Sequence, residues 1–104
     1  MRIQEVRMNE QVSGILTYPE EVSASASMPG VLLLHGFATD KNEVNNTNQQ
    51  LAEQLAARGI ISLRIDFRGY GNSAGNPEDF SVHDMVDDAL VGYEFLSKAP
   101  KLNR

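Results

Sequence analysis

The chain has 104 residues, 41% hydrophobic and 22% charged, which is the balance of a folded protein and a length for one small domain. A net charge of -5 excludes the basic surface of a nucleic-acid binder, and the lack of cysteine excludes a disulfide framework and thiolate chemistry. The N-terminus Met1-Arg2-Ile3-Gln4-Glu5 has no apolar signal core and no run approaches a membrane span, so a soluble, cytoplasmic chain without membrane contact is expected.

In chain order, residues 2–8 and 12–18 read as strands joined by a tight turn at Asn9-Glu10, making a hairpin over 2–18. Tyr18-Pro19 ends the second strand. Glu20 to Met28, with its Ser-Ala repeat, reads as a surface connection. Val31 to Leu34 then form an unbroken apolar run, V-L-L-L, between Gly30 and Gly36, within a strand expected over residues 31–35. Such a run predicts a strand buried on both faces in a parallel sheet. The His35-Gly36-Phe37 turn follows it, where open α/β sheets build their sites. Gly36 lets the backbone turn so that amide N–H groups can face a cleft.

A polar loop leads to a helix expected over about residues 47–58, its apolar face supplied by Val44, Leu51, Ala52, Leu55 and Ala56 and its stop by Arg58-Gly59. Residues 60–66, I-I-S-L-R-I-D, read as the next strand. Strand, helix and strand in this order predict a parallel crossover. The loop from Phe67 to Phe80 is rich in Gly, Asn, Ser and Pro. The last helix is expected over about residues 81–97, with Ser81 and Asp84 close to a capping box and Val82, Val86, Ala89, Leu90, Tyr93 and Leu96 at helical spacing. Asp84, Asp87 and Asp88 read most simply as its wet face, with His83 solvent-facing among them. The element order is β-β-β-α-β-α without an internal repeat.

Two stretches, L-L-L-H-G-F and R-I-D-F-R-G-Y-G-N-S-A-G, give the chain a family likeness. From about Met28 onward it resembles the N-terminal half of the α/β-hydrolase superfamily, most closely small serine esterases of the feruloyl/cinnamoyl type. The resemblance implies a single partial α/β domain over residues 1–104, with strand order 1-2-4-3 and the third strand at its edge. It implies that the backbone N–H of Phe37 is one oxyanion-hole donor and that His35 and Gly36 shape that loop. It implies that Asp66, Arg68, Gly69 and Gly71 structure the loop after the fourth strand. The family's nucleophile, acid and histidine come later in the fold, so a half-enzyme inactive by itself is expected. Its partners would be a small ester substrate in the complete enzyme, and either the C-terminal half or a second copy at the third strand. No cofactor or metal is implied.

Other motifs compete with this reading. Gly71-Asn72-Ser73-Ala74-Gly75 fits G-x-S-x-G, but a nucleophile elbow needs a strand leading into the serine and a helix leading out. Asn76-Pro77 follows instead, so Ser73 reads as a turn serine bonding nearby backbone. Gly69 to Ala74 fits a dinucleotide fingerprint whose helix would have to open inside the motif. His35 and His83 lie too far apart to suggest a metal pattern. The alternatives to an ester hydrolase are a non-catalytic split fragment acting as an association module, and a flavodoxin-like nucleotide binder holding phosphate at Gly69–Gly75.

Overall fold

A computed structural model describes residues 1–20, 28–36, 40 and 46–99. Its elements are β1 (Arg2–Met8), β2 (Val12–Tyr18), β3 (Gly30–Leu33), α1 (Thr47–Ala57), β4 (Ile61–Ile65) and α2 (Val82–Ser97), with a 3-10 turn at Pro77–Asp79. The strands make one sheet in the order β1-β2-β4-β3. β2 pairs antiparallel with β1 and with β4, while β3 pairs parallel with β4. This is the α/β arrangement expected, including the position of the third strand.

Period-two alternation explains the layers. Met8, Val12, Leu16, Ile61, Leu63 and Ile65 form one buried cluster, against which Met85, Ala89, Val91 and Phe95 of α2 pack. The alternate residues of β4, Ser62 and Arg64, are also buried and face the α1 side. There Ala52 and Ala56 are the buried apolar residues of α1, small enough to let the helix approach the sheet. Burial pulls the Arg64 guanidinium below its usual range, while the carboxylates of Glu53 and Asp66 hold it up. Thr17 and Ser62 are paired across β2 and β4, and neither buried hydroxyl has a hydrogen-bond partner among the described residues.

Three expectations need correction. The apolar strand is shorter than residues 31–35: it ends at Leu33, and Leu34 is exposed while His35 is buried beyond it. Nor is it buried on both faces, since Val31 and Leu32 are half-exposed at the sheet edge. Leu51 is 42% exposed, and Asn48 takes a place on the buried face of α1, donating from Nδ2 to the Leu34 carbonyl at 3.1 Å. The helix turns its small and polar residues inward because the face it covers is itself partly polar. Val44 lies outside the described residues.

Candidate functional site

The site region gathers where β3 and β4 end, at the N-terminal end of α2. Leu34, His35 and Gly36 lie on one side of an apolar cleft of 310 Å³, with Phe67 beside them and Val82 and Val86 of α2 on the other. Phe37, expected to carry the oxyanion-hole donor, lies outside the described residues.

His35 ties two turns together. Its Nε2 accepts from the Phe67 backbone N–H at 3.1 Å, and its Nδ1 lies 2.7 Å from the Gly36 carbonyl. An acceptor role for Nε2 places the proton on Nδ1, which donates to Gly36. Both nitrogens of a neutral imidazole are thus used in binding the turn after β3 to the turn after β4. The ring is edge-on to Phe67 at 4.8 Å and to Tyr70 at 5.3 Å between centroids. This ring offers its neighbours fixed hydrogen bonds and has no free nitrogen to act as a base.

The loop after β4 is built around two carboxylates. Asp66 is wholly buried. Its Oδ2 accepts from the Ser13 hydroxyl at 3.1 Å and from the Asn72 N–H at 3.0 Å. Gly71 sits directly on this carboxylate, with φ of +51°, and an added Cβ would lie 2.4 Å from it. Gly69 has φ of +90° and would meet the backbone of Pro77 at 2.8 Å. Only glycine fits such positions without strain.

The second carboxylate is Asp88, expected on the wet face of α2 but found buried. It is 3% exposed. It accepts from the Arg68 backbone N–H at 2.8 Å and from Arg68 Nε at 2.7 Å. The same guanidinium donates to the Asp84 carbonyl at 3.3 Å and lies 4.9 Å from the centre of the Phe80 ring. The signal available in the sequence was spacing: Asp88 falls one turn from Asp84 and from Gly92, on the inward face. Asp87 and His83 are exposed.

Ser81 and Asp84 form a complete capping box. The Ser81 backbone N–H donates to Asp84 Oδ2 at 2.8 Å, and the Asp84 N–H donates to Ser81 Oγ at 3.3 Å. The Ser81 backbone bond and then its side-chain bond hold the Asp84 carboxyl below its ordinary value of 3.8, with Arg68 and His83 adding to the effect.

Ser73 is fully committed to the scaffold. Its hydroxyl donates to the Asp66 carbonyl at 2.6 Å and accepts from the Ser13 N–H at 2.9 Å. The residues around it are bends and turns, with no helix leading out. The dinucleotide reading of Gly69–Gly75 loses its geometric basis in the same way, because α2 opens at Val82. Among the described residues no group of His, Cys, Asp and Glu could hold a metal ion, and no helix is long and apolar enough to cross a membrane.

Comparison with known proteins follows the same lines. Est1E from Butyrivibrio proteoclasticus, solved with ferulic acid bound, superposes with a TM-score of 0.81 at 21% identity, covering 96% of this chain and 39% of that one. That likeness concerns the fold. In sequence, the lysophosphatidylserine lipase ABHD12 of Danio rerio is 33% identical over 78 residues, 75% of this chain and 19% of that protein. Its counterpart in Xenopus tropicalis is 35% identical over 81 residues, 78% of this chain and 19% of that protein. The chain therefore spans about a fifth of the length of these curated relatives. It matches the N-terminal part of the α/β-hydrolase fold. With residues 26–103 matching the family described as serine aminopeptidase, S33, the chain belongs to that family of α/β hydrolases.

Proposed function

We propose that this chain is the N-terminal segment of a serine carboxylic ester hydrolase. It supplies one wall of the cleft and, through the backbone N–H of Phe37, one oxyanion-hole donor. The observation that carries the reading is the His35 bridge, which fixes the turn leading into Phe37 against the turn after β4. Oxyanion donors act because they are held in place before charge develops on the substrate, and losing one costs about 3–4 kcal/mol of transition-state stabilisation. Gly36 belongs to that turn, its carbonyl 2.7 Å from His35 Nδ1. Asp66, Arg68, Gly69 and Gly71 hold the facing loop through the contacts described above.

The nucleophile, acid and general base come from outside these 104 residues in this reading. The commitments of Ser73 and His35 support it, since neither hydroxyl nor imidazole is free for proton transfer. A serine would attack the ester carbonyl, its proton passing to a histidine; the alcohol would leave, and water would then release the acid. The names of two relatives, a lipase and a protein solved with ferulic acid bound, speak for an ester, although the family's own description names a peptidase.

Intact mass after treatment with a fluorophosphonate tests this. The chain alone should show no adduct. Mixed with a separately expressed C-terminal portion of a relative, it should restore hydrolysis of p-nitrophenyl acetate, and Phe37→Pro, which removes the donor N–H, should abolish that gain. An adduct mapped to Ser73 would overturn the reading.

An association role has its own support. β3 is an outer strand reading Gly-Val-Leu-Leu, and Val82, Val86, Leu90 and Tyr93 of α2 are each more than half exposed. We propose that this flank seats either the remainder of the hydrolase domain or a second copy by strand exchange.

A further inference from the structure

We infer that the groove between the β1–β2 hairpin and the last turns of α2 binds an amphipathic carboxylate, a ligand with one anionic head and an apolar body. The groove measures 590 Å³, within the range of small-molecule sites. It lies beside β1, at the end of the sheet opposite β3, and the inference does not depend on the hydrolase reading.

The chemistry follows from its lining. Met8, Leu16 and Tyr18 are buried side chains of the hairpin, and Val91 and Phe95 face them from α2. These five make a floor that suits an alkyl or aryl chain. The rim carries Arg2, Arg7 and Lys98, against the single carboxylate of Glu94. Among the described residues none of the three cations is in an ion pair. A concentration of positive charge over an apolar floor is thus found in a chain whose net charge is -5. Clefts lined by one sign of charge focus the field and gather ions of the other sign.

Two cations are oriented by neighbours that do not neutralise them. The Arg2 guanidinium carbon lies 4.6 Å from the centre of the Tyr18 ring. Arg7 donates to the Asn72 carbonyl at 3.1 Å, which leaves further N–H groups on its guanidinium. Burial raises the Tyr18 phenol, with Arg2 acting in the opposite direction. A neutral phenol adds no negative charge to repel the ligand.

Sodium decanoate, below its micelle concentration, is the probe. Titrated into the ¹⁵N-labelled chain, it should give saturable amide shifts confined to residues around Arg2, Leu16, Tyr18, Phe95 and Lys98. Decylammonium should give none there. The double variant Arg2→Gln/Lys98→Gln removes two exposed charges, leaves the fold intact, and should weaken decanoate binding roughly tenfold. A second variant, Phe95→Ala, tests the floor and should weaken decanoate and decanol alike. Shifts that do not saturate, shifts at Leu34, Val82 and Val86 instead, or equal binding of decanol and decanoate that ignores the charge variant would each overturn the proposal.

Discussion

The two outer strands of the sheet solve the edge problem differently. β1 alternates charge along its length, with Arg2, Glu5 and Arg7, and most of it faces water. Charged side chains on an exposed edge discourage pairing with another chain. β3 carries no charge in Gly30–Leu33, and the stripe of α2 beside it is apolar too. The β1 flank is also fastened internally. Ala74 donates to the Gln11 carbonyl at 3.0 Å, and Arg7, Ser13, Ser73 and Asn72 link the hairpin to the loop after β4. One edge is fastened within the chain, whereas the other exposes apolar surface.

If the fastening of the β1 flank is what stabilises this chain, breaking it should give the largest loss. Gly71→Ala forces a Cβ into the Asp66 carboxylate at a positive φ and displaces the group that Ser13 and Asn72 both donate to. A loss of about 3 kcal/mol in urea unfolding is expected. A loss under about 1 kcal/mol would mean that the loop contributes little and that the flanks do not differ in this way.

Asp88→Ala comes next. It leaves Arg68 Nε and the Arg68 backbone N–H without their acceptor, while the guanidinium keeps its contact with Asp84. Hydrogen bonds to charged groups contribute about 1.5–3 kcal/mol, so a loss of about 2 kcal/mol is expected. Asp88→Asn should recover part of it, since its amide oxygen can still accept.

The topology was legible because the chain obeys simple periods. The hairpin, the crossover and the second helix each follow from alternation or helical spacing, and the two motifs fixed the family. What stayed hidden has a physical cause. In β4, Ile61, Leu63 and Ile65 alternate with Ser62 and Arg64, a pattern normally read as one wet face. The strand is central in this sheet, so both faces are covered and the polar set is buried under α1. The same blindness misplaced Asp88, since a carboxylate in an acidic run reads as solvated until a guanidinium from another element is seen against it. At the site, His35, Asp66 and Arg68 stood out by their motifs, but Ser13, which donates to Asp66, and Asn48, which donates to the Leu34 carbonyl beside His35, belong to distant segments whose sequence carries no sign of the contact.

The β3 flank predicts the opposite pattern from the fastened one. Leu90 is 57% exposed, so Leu90→Lys should change unfolding free energy by no more than about 0.5 kcal/mol. It should nevertheless weaken self-association by about tenfold in sedimentation velocity, equivalent to about 1.4 kcal/mol. A chain that sediments as a monomer before and after the substitution would remove the contrast between the edges.

The smallest effect concerns how α2 is held at that flank. Asp84 closes the capping box beneath Val82, and its folded carboxyl sits below 3.8. A group depressed in the folded state stabilises above its unfolded value, and that contribution disappears as pH falls through the folded value. Stability should therefore decline on acidification below about pH 4, where the Asp84 carboxylate takes up its proton. Ser81→Ala removes the hydroxyl bond but keeps the backbone N–H, the larger cause of the shift. The variant should be less stable at neutral pH, and its Asp84 should titrate closer to 3.8 without reaching it. Carboxyl ¹³C shifts of Asp84 followed through acid give the answer directly. An unchanged titration in Ser81→Ala would assign the whole shift to the backbone bond and to Arg68. The cap would then serve to place Val82 and Val86 beside β3, with its hydroxyl adding little to the acid dependence of the fold.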